Sequence, residues 1–376
     1  MKDHAAFSIS ATALSKIGKL MATVIDRRMT IPVLSYCRVA VKKNKVTFTA
    51  SDLDVEVSKT IEAEDTTTGV MLLPLYLLRD AAQMFSGRVE ISVHLGEGFL
   101  KATDGTTNVR LSSLIPPEDF PRMSDWEKLV KDEADMDEAL SQADLLRVFD
   151  LTRHCVSTEE TRYYLNGVYL CAKPEGQTLR AVATDGHRMA VIDTSLSVPK
   201  ETAAIIPRKA AHIIQNNLDA TANETAALRL RGKRVQVAAG DLTITSKCID
   251  GTFPDYTRVL PKKKVAATVA LTASAVRRIS SFKRAVHGPA ISLPVVFSSE
   301  HQTMSLGKNG NRIELPCDIK SLGEKPMAAF GFNDKLLGSQ ASVTPVMRLE
   351  MANPSDPSII RGDDPDALWV LMPMRV

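Results

Sequence analysis

The chain has 376 residues and a mass of 41.0 kDa, with 44% hydrophobic and 24% charged residues. That balance belongs to a folded, multi-domain globular protein and excludes disorder, collagen or coiled coil as the main architecture. Lys and Arg number 47 against 44 Asp and Glu, and the resulting +3 is too small by itself to argue for nucleic acid.

Six amphipathic segments recur along the chain, separated by alternating runs that read as strands. The first spans Thr12 to Ile25, with Leu14, Ile17, Leu20, Met21, Val24 and Ile25 at helical spacing. The second runs from Pro74 to Phe85, and the third from Gln142 to His154 behind a Ser141 N-cap. A fourth begins at Pro207, a favoured first-turn residue. The fifth runs from Thr272 to Phe282, and a short sixth from Asn333 to about Gly338. Between them, Lys45–Ser51, Val89–Val93, Leu179–Ala183, Met189–Asp193, Val235–Ala238 and Leu242–Ser246 alternate as strands do. Asp104-Gly105 and Asp185-Gly186 sit between such runs and signal hairpins, with a type I′ turn as the expected geometry.

The helix starts are spaced by 61 to 68 residues, and a doubled period overlies them. Asp52 and Asp185 end similar strands 133 residues apart, as do Phe120-Pro121 and Phe253-Pro254 further on. A unit of about 65 residues occurring twice per domain predicts three similar domains. The boundaries fall near 132, in the acidic stretch Lys131–Glu138, and near 263, in Lys262-Lys263-Lys264. The domains are therefore 1–132, 133–263 and 264–376, the third copy being the most divergent.

Charge is segregated along this pattern. Windows around the six helices hold 15 Lys and Arg against 5 Asp and Glu, so the helices are strongly basic and the remainder acidic. Candidates for phosphate contact are Lys16, Lys19, Arg27, Arg28, Arg79, Arg147, Arg153, Arg208, Lys209, Arg277, Arg278, Lys283 and Arg284. No helix carries an Arg/Asn recognition pattern, so the reading is backbone contact without base reading.

Nothing catalytic emerges. Asp185-Gly186-His187-Arg188 is the most enzyme-like cluster, yet neighbours in one tight turn seldom form a working dyad, and no G-x-S-x-G elbow accompanies them. There is no Walker loop and no G-x-G-x-x-G after a strand, so no cofactor is expected. The five cysteines are scattered, without a C-x-x-C pair, and the seven histidines lack H-E-x-x-H, so neither a disulfide framework nor a metal site is expected. No apolar run has the length of a membrane span, and Met1-Lys2-Asp3-His4 does not open a secretory signal, which points to the cytoplasm. The end, Leu368 to Val376, is apolar and methionine-rich, which suits either a last core strand or the adaptable wall of a pocket.

Several stretches carry a family likeness: Arg28 to Ser35 (R-M-T-I-P-V-L-S), Ser51-Asp52-Leu53-Asp54, Asp119-Phe120-Pro121, Arg162 to Gly167 (R-Y-Y-L-N-G), Ala183 to Ala190 (A-T-D-G-H-R-M-A), Asp250 to Pro261 (D-G-T-F-P-D-Y-T-R-V-L-P) and Val370 to Arg375 (V-L-M-P-M-R). In these the chain resembles the bacterial sliding clamps, the beta subunits of DNA polymerase III. The resemblance covers the first two domains throughout, and the third mainly through Gly331-Phe332-Asn333 and the C-terminus.

The resemblance implies an α+β DNA clamp fold in which two chains close head to tail around duplex DNA, with inner helices and outer sheets. It implies a non-catalytic processivity subunit. Its partners would be double-stranded DNA, a second copy of the chain, the DNA polymerase III alpha subunit, the clamp loader delta subunit, and other polymerases and mismatch-repair proteins bearing Q-L-x-L-F type peptides. The partner-peptide pocket carried over from the family comprises Leu165, Thr184, Gly186, His187, Arg188, Met189, Pro254, Arg258, Val259, Val370, Met372, Pro373, Met374 and Arg375. By the same resemblance Arg28, Tyr163 and Tyr164 match positions near DNA, while Arg79, Arg153, Arg208, Lys209, Arg277 and Arg278 are DNA-contact candidates from the charge on the helices. The short sixth helix departs from the family pattern in the domain that supplies half of the ring-closing interface. Two other readings stay open: a clamp-like adaptor that keeps the pocket without stable ring closure, and an enzyme using Asp185 and His187.

Overall fold

The computed structural model describes all residues except 1–3, 26–29, 95, 113, 124–125, 127–128, 130–134, 223 and 323–326. The first third supplies β1 (His4–Ser10), α1 (Ala11–Ala22), β2 (Tyr36–Lys42), β3 (Lys45–Ser51), β4 (Val55–Glu62), β5 (Glu64–Thr67), β6 (Gly69–Pro74), α2 (Leu75–Arg79), α3 (Ala81–Met84), β7 (Arg88–His94), β8 (Glu97–Ala102) and β9 (Asn108–Leu111). The second supplies β10 (Met136–Ser141), α4 (Gln142–Thr152), β11 (Gly167–Ala172), β12 (Thr178–Thr184), β13 (Arg188–Ser197), β14 (Ala203–Pro207), α5 (Arg208–Asn217), β15 (Thr225–Arg231), β16 (Arg234–Ala239) and β17 (Leu242–Lys247). The last supplies β18 (Ala267–Thr272), α6 (Ala273–His287), β19 (Pro294–Ser298), β20 (Thr303–Lys308), β21 (Asn311–Pro316), β22 (Asp318–Ser321), β23 (Phe330–Asn333), α7 (Asp334–Gln340), β24 (Val346–Met351), β25 (Ser358–Arg361) and β26 (Ala367–Leu371).

These elements form an α+β structure in two compact units. One comprises Met1–Leu145 and His212–Cys248, the other Leu146–Ala211 and Ile249–Val376. The first holds a five-stranded sheet (β5-β1-β7-β8-β9) and an eight-stranded sheet (β10-β15-β16-β17-β4-β3-β2-β6). The second holds a nine-stranded sheet (β14-β11-β12-β13-β26-β25-β24-β18-β22) and a four-stranded sheet (β21-β20-β19-β23). Each long sheet joins strands from consecutive thirds of the chain. β17 pairs antiparallel with β4, and β26 with β13.

The helices form where an apolar stripe meets a cap. Ser10 caps α1 by accepting from Ala13 N (3.2 Å), and Leu14, Ile17, Gly18 and Met21 turn inward. Gly18 permits the backbone of α2 to approach, since a Cβ there would collide with the backbone of Leu78 and Arg79. Thr272 caps α6 in the same way, accepting from Ala275 N (3.2 Å).

Several expectations need correction. The second helix is broken at Asp80, whose backbone leaves the helical region (φ −95°, ψ 5°) and whose carboxylate is held by Arg79. The fifth helix runs five residues past Phe282 to His287, because Val276, Ile279 and Lys283 continue one buried stripe and Gly288 (φ +74°) supplies the stop. The sixth does not stop at Gly338 but reaches Gln340, capped at its start by Asn333 Oδ1, which accepts from Lys335 N and Leu336 N. Both Asp-Gly sites are hairpin connections, but only the glycine has positive φ in each, so neither turn is type I′. Positive φ at both residues is found instead in the two-residue loops Gly232-Lys233, between β15 and β16, and Asn309-Gly310, between β20 and β21.

The 133-residue repeat persists at the level of hydrogen bonds. Asp52 Oδ1 accepts from Asp54 N and Val55 N after β3, while Ser51 Oγ accepts from Leu53 N. After β12, Asp185 Oδ1 accepts from His187 N and Arg188 N, while Thr184 Oγ1 accepts from Gly186 N. Leu53 and Gly186 hold the same positive φ, +76° and +88°. The boundary expected near residue 132 lies outside the described residues.

Candidate functional site

The second unit contains a cavity of about 260 Å³ on the sheet face where β13 and β26 meet. Strand pairing makes its floor: Met189 is the register partner of Val370, both nearly fully buried. Leu165, Val182, Val191, Phe253 and Tyr256 continue the same apolar cluster.

One wall is the β12–β13 turn. Thr184 Oγ1 donates to Arg188 O (2.7 Å), and Asp185 Oδ2 accepts from Arg188 Nε (2.9 Å), so a single carboxylate ties both the turn backbone and the guanidinium. At Gly186 a side chain would run into the Arg162 guanidinium (2.7 Å to Nη1). The opposite wall is the segment after Ile249, where Asp255 Oδ1 accepts from Thr257 N (3.1 Å) and turns the chain so that Pro254, Tyr256 and Val259 face the cavity. Tyr256 is fixed from behind: its hydroxyl accepts from Arg180 Nη1 (3.4 Å), and Arg180 is itself bound by Asp193 (2.6 and 2.8 Å). That ion pair raises the Arg180 pKa further above its already high ordinary value, while burial raises those of Tyr256 and Tyr169. Tyr169 stacks on Phe253 with centroids 4.7 Å apart.

The chain end closes the rim. Met372 N donates to His187 O (2.9 Å), and two residues later Met374 N donates to Gly331 O (2.7 Å), bridging to β23. The rim is apolar but edged with charge. Three arginines each pair with a carboxylate three residues earlier: Arg162 with Glu159, Arg188 with Asp185, Arg258 with Asp255.

Of the expected pocket set, Leu165, Thr184, Gly186, Arg188, Met189, Pro254, Val259, Val370 and Met372 line this cavity. His187, Arg258, Pro373, Met374 and Arg375 do not line it. His187 contributes its carbonyl to the tail, Arg258 is exposed beside Asp255, Met374 bridges to Gly331, and Arg375 is exposed. Arg162, Tyr164, Phe253, Asp255 and Tyr256 were not expected there. Phe253 and Tyr256 were visible inside the D-G-T-F-P-D-Y motif, and Arg162 and Tyr164 inside R-Y-Y-L-N-G.

The expected phosphate contacts divide. Arg153, Arg208, Arg277 and Arg278 are exposed, and Tyr163 is half-exposed, edge-on to Tyr164 at 5.7 Å. Lys209 is partly buried. Arg79 is held in a two-point pair by Asp80 (2.7 and 2.6 Å). Arg147 and Lys283 are not free charges on a helix face. Arg147 binds Asp364 and Asp193 O, and Lys283 is buried against Asp334 (3.4 Å) with Pro289 O as a further acceptor. Arg28 lies outside the described residues.

The enzyme reading finds no support in this geometry. The Asp185 carboxylate is committed to Arg188 and to two backbone N–H groups, one of them that of His187. Burial pushes the Cys37 thiol up to about 12 and raises that of Cys155 as well, so neither is a ready nucleophile. Among the described residues, no group of three or more His, Cys, Asp or Glu side chains could hold a metal ion, and no helix is long and apolar enough to cross a membrane.

Two family profiles match the chain: the N-terminal domain of the DNA polymerase III beta subunit over residues 5–124, and its central domain over residues 139–255. The beta sliding clamp of Caulobacter vibrioides is 32% identical over 98% of this chain and 99% of its own length. That of Pseudomonas aeruginosa is 33% identical over 68% of each. Among solved structures, a DnaN sliding clamp from Pseudomonas aeruginosa bound to griselimycin superposes with a TM-score of 0.84 at 27% identity, over 99% of this chain and 100% of that one. The C. crescentus beta sliding clamp gives 0.84 at 29% identity, with both chains fully covered.

Proposed function

Because the chain belongs to the DNA polymerase III beta subunit family, the bacterial sliding clamps, we propose that two copies close head to tail into a ring around duplex DNA. Sliding clamps are non-catalytic processivity factors, so the work is topological: a closed ring keeps a polymerase on its template without gripping any phosphate tightly.

One pairing rule carries the reading. The last strand of each third pairs with a strand of the preceding third: β17 with β4, β26 with β13. Applied once more, it asks β9 to pair with β21 of another copy. Both are end strands of their sheets within the chain, and an open strand edge is a template for further pairing. A five-stranded and a four-stranded sheet would then make one of nine, the size of the longest sheet present. Heterologous contacts of this kind generate closed rings when the rotation allows. The same rule supports three domains, at 1–132, 133–263 and 264–376.

The cavity between Met189, Val370, Pro254 and Val259 is the proposed dock for short partner peptides, because its apolar floor with a few polar groups at the rim suits hydrophobic anchors on an extended segment. The DNA polymerase III alpha subunit, the clamp loader delta subunit, other polymerases and mismatch-repair proteins are the proposed partners. The basic exposed residues Arg277 and Arg278 of α6, with Arg153 and Arg208, are proposed to face DNA phosphates. The cytoplasm is the proposed location.

Sedimentation equilibrium at about micromolar concentration tests ring closure. A mass twice 41.0 kDa supports the ring. A mass of one chain overturns it and favours the adaptor that keeps the pocket alone. Deleting Met372 to Val376 tests the pocket: binding of a Gln-Leu-Ala-Leu-Phe peptide should vanish with the fold intact, and unchanged affinity would sink the assignment.

A further inference from the structure

The wall of the cavity formed by the β12–β13 turn is held from outside by α7. Arg188 donates through Nε to Asp185 Oδ2 (2.9 Å) and through Nη1 to Ser339 Oγ in the last turn of α7. Ser339 donates its own proton to Leu336 O (2.8 Å), so its lone pairs are left for the guanidinium. Asp185 also accepts from the N–H groups of His187 and Arg188. The turn, the carboxylate and the guanidinium thus form one unit whose outside anchor is Ser339.

The next residue anchors a second part of the cavity, its floor at Leu165. Gln340 is buried, and its Oε1 accepts from His154 Nε2 (2.9 Å) just after α4. The chain from His154 leads to Ser157, whose N–H donates to the carbonyl of Leu165 on the cavity floor (3.0 Å). Gln340 Nε2 and His154 Nδ1 remain buried without a hydrogen-bond partner. An apolar side chain at 340 would remove the unpaired amide nitrogen but would also take away the acceptor for His154 Nε2, leaving that buried N–H without this bond.

The circuit closes through the tail. His187 O accepts from Met372 N, Gly331 O accepts from Met374 N, and Gly331 lies in β23, which runs through the Asn333 cap directly into α7. The turn is therefore tied twice to one element, β23–α7: directly through Arg188, and through His187 by way of the tail.

We infer that Ser339 and Gln340 are positioning residues for the pocket, setting partner-peptide affinity by holding Arg188 and the 185–188 turn rather than by touching the peptide. The inference rests on the reading of this cavity as the peptide dock. Losing this anchor lets the turn relax, which should weaken binding about tenfold, equivalent to about 1.4 kcal/mol.

The test measures fluorescence anisotropy of a labelled Gln-Leu-Ala-Leu-Phe peptide on the full chain. Ser339→Ala should bind about tenfold more weakly at an unchanged melting temperature, and Ser339→Thr, which keeps the hydroxyl, should bind like the unsubstituted chain. Gln340→Leu should weaken binding in the same direction. In an Arg188→Ala background, Ser339→Ala should have no further effect. Tight binding by Ser339→Ala overturns the inference and leaves the pocket reading standing. An equal loss in the Arg188→Ala background also overturns it, since Ser339 would then act elsewhere. Failure of the unsubstituted chain to bind the peptide overturns both readings together.

Discussion

The side chain of Val376, the last residue, lies over Gly331, where a Cβ would collide with Val376 Cγ1 and press on Met374 O (3.4 Å) and Val295 O (3.3 Å). The glycine leaves room for this segment, and a backbone bridge from Met374 holds it. Because the same tail supplies Met372 to the cavity, the geometry at Gly331 reaches the proposed peptide dock.

Gly331→Ala should therefore displace the tail and weaken binding of the Gln-Leu-Ala-Leu-Phe peptide, with little change in global stability. Removing Val376 from that variant should restore part of the affinity, since the collision partner is gone. Anisotropy titration of the two variants checks this, and equal affinity in all three chains would show that the tail does not shape the pocket.

Charge reversal on α6 addresses DNA. Arg277 and Arg278 are both exposed, and Arg277 makes a long bond to Ala341 O (3.5 Å). Replacing both with Glu should reduce DNA association at low salt and flatten its dependence on salt concentration, as expected when phosphate contacts are lost. Unchanged low-salt association would show that these side chains do not face DNA.

The edge strands address ring closure. Val109 in β9 and Ile313 in β21 are partly exposed apolar residues on open edges. Val109→Asp and Ile313→Asp each bring a carboxylate into the proposed junction, where burial without a partner costs several kcal/mol. Each variant should sediment as a single chain at about micromolar concentration with its circular dichroism intact. A dimer surviving both would place the junction elsewhere.

Acid should loosen the second unit through His154. Burial pushes its pKa down to about 4; Arg188 and Arg153 push the same way, while Gln340 and Asp185 oppose them. An unfolded histidine titrates near 6.5, so between these values the unfolded chain binds a proton that the folded chain does not. Stability is therefore fully present above about pH 6.5 and falls as pH drops toward 4, with a full loss on the order of 3 kcal/mol. Urea unfolding at pH 7 and pH 4.5 should show a smaller acid-induced loss for His154→Gln than for the unsubstituted chain, and equal losses would assign the acid sensitivity to other groups.

Much of this protein is legible in one dimension, because the signals are local. Helical spacing in Leu14, Ile17 and Met21 and alternation in Val235 and Val237 depend only on periodicity, and both elements form where that periodicity lies. The 133-residue repeat reads directly as the paired turns at Asp52 and Asp185, since each aspartate bonds to backbone within three residues. The nine cavity-lining residues expected from motif likeness lie in short strings such as A-T-D-G-H-R-M-A, which carries its own turn.

What the tertiary structure decided is which distant segments meet, and therefore which charges are available. Arg147 and Lys283 read as free cations on helix faces, but Asp364 and Asp334 come from far along the chain to pair with them. Arg162 and Tyr164 stand in R-Y-Y-L-N-G, but that string does not show that they line a cavity whose floor is the pairing of the distant strands β13 and β26. The role of α7 was likewise hidden: a seven-residue helix reads as a truncation, yet its last two residues reach Arg188 and His154. Periodicity is set by neighbours in sequence, whereas burial, ion pairing and cavity walls are set by neighbours in space, and only folding brings those together.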